Sequence, residues 1–254
     1  MTQKPANPER STELFFELAS VDRKEILSEL QKENLHLNEV AARAGMTATE
    51  TLRQLQRMTE AGLLEKMSDG RYKLTSYAKV VIGISSPLDF VSRYREYFLS
   101  HDASLLPPEN LARLGELAEG ELTTSYIETI NKVTEMLGNA RQTIDWTLEV
   151  GLDAFLEIML SRLREGVKIR WLLHESFLPK AKSILRSAEK FPEMRWTQHS
   201  LVHINLTENV GAFSLRQNSG GMSDTAFFGE DPSFLRWTND LYAHQWQEAK
   251  PWYP

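Results

Sequence analysis

The sequence predicts a chain of two fold classes: an α+β N-terminal domain over residues 1–84, a helical linker over 85–140, and an α/β domain over 141–254. Three observations predict it. Two short helical patterns flank a glycine turn at Gly45, and an Asp69-Gly70 hairpin signal follows them. Beyond residue 140 the apolar period changes from helical to alternating. Hydrophobic content of 41% and charged content of 25% describe an ordinary globular chain, and 254 residues suffice for two cores.

Val21–Glu33 reads as a helix with Ile26, Leu27 and Leu30 on one face. Leu37, Val40, Ala41 and Ala44 recur at helical spacing and bury one side of a shorter helix. Gly45 supplies the position after it, where a positive φ is often needed. Thr47 opens the next helix and forms a capping box with Glu50. At about 100° per residue, Ala48, Thr51, Leu52, Leu55, Met58 and Thr59 fall on one side of that helix. Thr49, Glu50, Arg53 and Arg57 fall opposite, so the outward face is polar with two arginines one turn apart. Gly62 ends the helix. Leu63–Lys66 and Tyr72–Leu74 then read as two strands whose tip carries Lys66, Arg71 and Lys73.

This order of helix, turn, capped helix and basic hairpin defines a winged helix-turn-helix. It resembles the DNA-binding domain of ArsR/MarR-type regulators at Val40-Ala41, Gly45-Met46-Thr47, Leu52, Leu55, Glu60-Ala61-Gly62-Leu63-Leu64 and Gly70. The resemblance makes Thr47–Ala61 the recognition helix and Lys66–Lys73 the wing. The DNA-contacting set is then Thr47, Thr49, Glu50, Arg53, Gln54, Arg57, Lys66, Arg71 and Lys73. Arginine suits both phosphate contact and bidentate readout of guanine. Charge does not oppose this. Residues 1–84 carry twelve Lys/Arg and twelve Asp/Glu, so the net charge of −6 belongs wholly to the remainder.

Tyr77–Ile84 and Leu88–Leu99 read as connecting helices, followed by a break at Leu105-Leu106-Pro107-Pro108. Leu111, Leu114 and Leu117 mark another helix, and Ile127, Ile130, Val133 and Leu137 one more. Ile144, Trp146, Leu148 and Val150 alternate, as do Val167, Ile169, Trp171 and Leu173. Between them a helix runs from an Asp153 N-cap to Glu165, which makes the two strands parallel. Lys180–Lys190 supplies a helix. Met194–Gln198, Val202–Leu206, Val210–Arg216 and Thr225–Phe228 supply strands. Asp231 caps a last helix begun by Pro232, with Phe234, Leu235, Leu241, Tyr242 and Trp246 inward.

Residues 88–250 resemble the middle domain of archaeal methanogenesis-type regulators, through Leu106-Pro107, Ile144-Asp145-Trp146, Gly166-Val167-Lys168-Ile169-Arg170 and the Trp237–Leu241 and Ala249-Lys250-Pro251 ending. That domain is similar to the phospholipase-D-like effector domain of TrmB-type sugar-sensing regulators. The related enzymes need a histidine, a lysine two residues on and an aspartate five further. Here His203 is followed by Asn205 and Val210 at those positions, which implies a binding rather than a cleaving domain.

The ends of the parallel strands bring Glu149 and His174-Glu175 together, where α/β sheets hold ligands. The candidate effector-binding set is Trp146, Glu149, Trp171, His174, Glu175, His199, His203 and Asn205. Two histidines with Glu149 or Glu175 could hold zinc, but histidines lining a polar pocket are the commoner arrangement. Trp146, Trp171 and Trp196 are more often core residues than ligand platforms. No cofactor and no catalytic residue is expected. With no cysteine, disulfides and thiol catalysis are excluded, and without an N-terminal apolar segment a cytoplasmic location without membrane contact is expected. The whole reads as a homodimeric regulator that binds a pseudo-palindromic duplex operator and senses a small molecule. The rival readings are a phosphodiesterase or hydrolase with an appended winged helix, and a protein-docking winged helix.

Overall fold

The computed structural model describes residues 8–149, 154–186 and 190–253. The chain divides into two compact units, Met1–Ser85 and Ser86–Pro254. In the first, α1 (Pro8–Leu18), α2 (Val21–Lys32), α3 (Leu37–Arg43) and α4 (Ala48–Glu60) precede the hairpin β1 (Leu64–Lys66) and β2 (Tyr72–Leu74). Ile26, Leu27 and Leu30 of α2, Val40 of α3, Leu55 and Met58 of α4, and Tyr72 and Leu74 of β2 form one core. Leu14 and Leu18 of α1 pack half-buried against it.

Each boundary has a local cause. Ser20 Oγ accepts from the Arg23 N–H and opens α2. Gly45 takes φ +65°, a conformation disfavoured for side chains with a Cβ, and this lets the chain turn sharply between α3 and α4. Thr47 Oγ1 accepts from the Glu50 N–H at 3.3 Å, the forward half of the expected capping box. The reciprocal bond of a capping box is found instead at α3, where the Glu39 carboxylate accepts from the His36 N–H at 2.7 Å. The hairpin pairs Leu64 with Leu74, Glu65 with Lys73 and Lys66 with Tyr72. Leu35 adds a bridge to Tyr72.

A single helix, α5 (Ser76–Arg93), replaces the two connecting helices expected from the sequence. Pro87 lies inside it. A proline forfeits one backbone hydrogen bond and strains the preceding turn, but it does not oblige a helix to end. The break falls at Tyr94 instead, where φ −106° and ψ 33° leave the helical region.

The second unit continues with α6 (Arg95–Ser100), β3 (His101–Asp102), α7 (Pro108–Ala112), a 3-10 turn over Leu114–Leu117, β4 (Glu121–Leu122) and α8 (Tyr126–Asn139). Then come β5 (Thr143–Leu148), α9 (Leu156–Arg164), β6 (Lys168–His174), α10 (Leu178–Leu185) and β7 (Glu193–Thr197). The chain closes with β8 (His203–Thr207), β9 (Gly211–Ser214), β10 (Arg216–Gln217), β11 (Phe227–Gly229), α11 (Pro232–Glu248) and β12 (Lys250–Pro251). Residues 86–140 belong to this unit: Phe90, Tyr97, Leu106, Leu114 and Leu117 enter one of its cores, and Val133, Met136 and Leu137 the other. The Asp153 N-cap and Val150 lie outside the described residues, as does the stretch 187–189 of the helix expected over Lys180–Lys190.

Eight strands form one sheet in the order β12-β7-β6-β5-β8-β9-β11-β4. β5, β6 and β7 are parallel, as a strand–helix–strand connection requires, and the remaining neighbours are antiparallel. Alternation sends Ile144, Trp146 and Leu148 of β5 and Ile169, Trp171 and Leu173 of β6 into a core with α8, α9 and α10. Leu172, Ile204, Leu206 and Phe213 face the other core, with Phe234, Trp237, Leu241 and Tyr242 of α11.

Asp231 caps α11 by accepting from the Ser233 and Phe234 N–H groups at 3.0 and 3.1 Å. The cap drives the Phe234 ring onto a glycine floor. A Cβ on Gly229 would stand 2.3 Å from that ring, and one on Gly120 2.4 Å from it. Gly229→Ala is therefore expected to destabilise this unit by about 1–3 kcal/mol through overpacking, measured by urea unfolding. An unchanged midpoint would contradict this packing.

Candidate nucleic-acid interface and a buried polar cluster

α4 presents Thr49 and Arg53 to solvent at its N-terminal half, with Thr47 exposed at its cap and Glu50 half-exposed beside it. Among the described residues, Arg53 has no hydrogen-bond or ion-pair partner. Leu52, placed on the inner side by the helical projection, is 39% exposed at the margin of the same face.

Gln54 does not join this face, and Arg57, its side chain 42% exposed, is tied up by an ion pair. Arg57 makes a two-pronged pair with Glu17 of α1, its Nη2 2.7 Å from Oε1 and its Nε 3.0 Å from both carboxylate oxygens. Its guanidinium also lies 4.8 Å from the Phe16 ring centre, a cation–π distance. Gln54 is buried, and its Oε1 accepts from Arg23 Nη1 at 3.3 Å. Arg23 in turn donates to the Phe16 and Glu17 carbonyls, so it fastens α1 to α2 and α4. Gln54 is held by Arg23 of α2, and Arg57 by α1, an element absent from the sequence reading. Its signal was there: Pro8 at a helix start, with Leu14 and Leu18 four apart.

The wing places Lys66, Arg71 and Lys73 on one hairpin, each with a local companion. Arg71 is 2.7 Å from Asp69, Lys73 3.3 Å from Glu65, and Lys66 sits 5.6 Å over the Tyr72 ring. Exposed pairs of this kind contribute little, so both cations can exchange their carboxylates for phosphates at small cost.

In the second unit the candidate residues separate into two groups. Trp146 and Trp171 are core residues rather than ligand platforms, both buried with Met159 and Phe155 or their neighbours. The reason is parity: Trp146 and Trp171 are register partners, and the even-numbered residues of β5 and odd-numbered residues of β6 face α8–α10. His199 and Glu175 are exposed, and Asn205 is half-buried on β8, paired with Trp146 and Ala212. Glu149, His203 and His174 do converge. Glu149 follows β5, His174 ends β6 and His203 begins the antiparallel β8, so all three sit at one end of the sheet. Arg216 joins them from β10, a residue the sequence reading passed over. Register could have found it: His203 pairs with Ser214, and Arg216 shares that parity.

Glu149 is the hub. Its Oε1 is paired with Arg216 Nη2, its Oε2 lies 3.4 Å from His203 Nε2, and His174 Nδ1 lies 3.8 Å from Oε1. Among the described residues, Glu149 Oε2, His203 Nε2 and Arg216 Nε are all buried without a hydrogen-bond partner, the first two meeting only as the 3.4 Å ion pair. His174 Nδ1 accepts from the Ser176 N–H at 3.3 Å, which leaves it at the rim. Among the described residues, no group of three or more His, Asp or Glu side chains has metal-holding geometry.

His203 and Arg216 hold the Glu149 carboxyl down to about 2, against the opposing pull of burial. Its ordinary value is 4.5, so the folded value lies below the unfolded one. The stabilisation is thus fully present above about pH 4.5 and is lost as the pH falls towards 2. Urea unfolding across that window is expected to show a steeper acid loss in the wild type than in Glu149→Gln. Parallel curves would remove the carboxylate from the cluster's energetics.

The chain is similar to TrmBL2, described as an archaeal chromatin protein with a novel mode of DNA binding, at 16% identity and a TM-score of 0.44 over 90% of this chain and 92% of that one. It is also similar to Nuc, a phospholipase D family member from Salmonella typhimurium, at 8% identity and a TM-score of 0.43, covering 54% of this chain and 100% of that one. NucT from Helicobacter pylori gives 10% identity, a TM-score of 0.43 and coverage of 52% and 98%. No protein-family model and no curated protein matches the chain. No helix among the described residues is long and apolar enough to cross a membrane.

Proposed function

We propose that the chain is a cytoplasmic, homodimeric, DNA-binding transcription regulator whose α/β unit binds a small molecule and thereby adjusts operator affinity. The observation that carries the reading is the outward face of α4: Arg53 unpaired among the described residues, Thr49 exposed, and Thr47 at the helix start, in the same unit as a wing bearing Lys66, Arg71 and Lys73. A recognition helix meets base edges with its N-terminal residues, and a wing meets phosphate or the minor groove. Arg53 and Thr49 take the first role, and the three wing cations the second.

Support for a dimer comes from α5, where Tyr77, Val80 and Ile84 are exposed apolar side chains at helical spacing. Support for an effector comes from the Glu149–His203–Arg216 cluster at the carboxyl ends of parallel strands. Binding rather than cleavage follows from the absence of a lysine two residues after His203. An effector shifts DNA affinity only by its differential affinity for the two states of the protein.

Selection from a random duplex library tests this reading. The expected outcome is an enriched pseudo-palindrome with half-sites centred roughly one helical turn, about 10–10.5 base pairs, apart. Recovery of no motif, or of a lone half-site by a monomer, contradicts it.

A further inference from the structure

We propose that Arg216 and His203 form a site for a small oxyanion, a free phosphate or the phosphate of a phosphorylated metabolite, and that Glu149 occupies this site as an internal competitor. The inference rests on the reading of this cluster as the effector site and gives that effector a chemical class.

The donor set is the first argument. Arg216 offers Nη2 and Nε towards the cluster, yet the Glu149 carboxylate engages only Nη2, and Nε stays buried and unpartnered. His203 is the second donor. Its side chain is 7% exposed, and its Nε2, 3.4 Å from Glu149 Oε2, makes no hydrogen bond among the described residues. A carboxylate has two oxygens in one plane, and one of them is already spent on Arg216. A phosphate has four in a tetrahedron, enough to take Arg216 bidentately and still meet His203. Three buried polar atoms without partners, gathered around one ion pair, mark a place where the protein's own acid fits the cations incompletely.

The second argument is that the cation is built in while the carboxylate is not. Arg216 Nη1 donates to the Gly220 carbonyl at 2.9 Å, and the flanking backbone is paired with β3 through Arg216–Asp102 and Gln217–His101. The guanidinium is therefore placed before any ligand arrives. Glu149 lies one residue beyond the last parallel pair, Leu148 with Leu173. Its side chain can leave the cluster without breaking the ladder. His174 stands at the rim, and Ser176 fixes its ring orientation. The depressed Glu149 pKa agrees with this placement, since it records how strongly the site favours negative charge.

The arrangement behaves as a filter. A weakly bound anion fails to displace Glu149. A phosphate with further contacts succeeds, and the released carboxylate then changes the charge at the sheet's ligand-binding end.

Isothermal titration of the full chain with inorganic phosphate, against chloride at matched ionic strength, tests the proposal on the wild type and on Glu149→Gln. Removing the competing charge is expected to tighten phosphate binding by roughly tenfold or more, since like charges a few ångströms apart repel strongly in a partly buried site. Adding Arg216→Leu to Glu149→Gln is expected to abolish it. Glycerol 3-phosphate is run in parallel: tighter binding than phosphate assigns the site to a phosphorylated metabolite, and equal binding to a free oxyanion. Should Glu149→Gln fail to fold, Glu149→Ser and phosphorus NMR of the wild type with glycerol 3-phosphate give the same readout. A phosphate response no greater than that of chloride in the variant, and none in the wild type by NMR, overturns the proposal. Operator affinity measured in the same samples separates the two claims. Phosphate binding without any change in DNA affinity upholds the anion site and refutes sensing. A retained uncharged ligand that shifts DNA affinity upholds sensing and refutes the anion site.

Discussion

Alanine at Arg53 weakens binding to the selected duplex by about 1–3 kcal/mol and relaxes base preference at one position of each half-site, while thermal stability stays within about 0.5 kcal/mol of the wild type. The separation follows from geometry. Arg53 is exposed and has no partner among the described residues, so its removal costs the fold nothing and the interface a charged, bidentate donor. Arg57, one turn further along α4, gives the opposite pattern. It is tied to Glu17 and stacked on Phe16, so Arg57→Ala loosens α1 and lowers stability with little direct effect on base preference. Fluorescence anisotropy for affinity and calorimetry for stability read the two effects. If Arg57→Ala costs more DNA affinity than Arg53→Ala, the assignment of the face is wrong.

The largest expected effect on stability lies in the second unit. Asp145→Ala destabilises it by about 3 kcal/mol, the lower end of the cost of breaking a buried ion pair. Asp145 is 8% exposed and accepts from Arg170 Nε at 2.6 Å and Nη2 at 2.5 Å. The guanidinium also lies over the Tyr242 and Trp246 rings, 5.2 and 5.3 Å from their centres. Removing the carboxylate leaves a half-buried cation with only aromatic faces beside it. The low end applies because the Arg170 side chain is 34% exposed, and water screens part of the loss. Replacing both partners, Asp145→Leu with Arg170→Met, is expected to cost less than the single change, because no unpaired charge remains. Urea unfolding decides it: an Asp145→Ala loss below about 0.5 kcal/mol contradicts a structural role for the pair.

Much of the frame was readable before any coordinates. Gly45, the Thr47 cap and the spacing of Val40, Leu55 and Met58 place two helices about a turn by local chemistry alone. The β5–α9–β6 unit was legible because alternation, a helix and alternation again leave only a parallel pair. What was hidden depends on partners distant in sequence. Arg57 looks like a free surface residue on a helical projection, and only α1, forty residues upstream in the Arg57–Glu17 pair, ties it up, while Gln54 is buried against Arg23 of α2. The two-residue strands β3, β4, β10 and β12 are too short to carry a period. Trp146 and Trp171 are ambiguous in sequence because a buried indole and a ligand platform need the same residue. Arg216 was missed for a similar reason: its neighbour in space, Glu149, is fixed by sheet register rather than by spacing along the chain.

The central claim is that the first unit holds DNA by α4 and the wing. It is tested most directly by the affinity of the full chain for the selected duplex across a salt series. The expected result is a straight fall of log K with log salt, and a slope smaller by about one in Lys66→Ala. Binding that is absent at low salt, or that does not change with salt, would contradict the claim and point to a winged helix that docks protein instead.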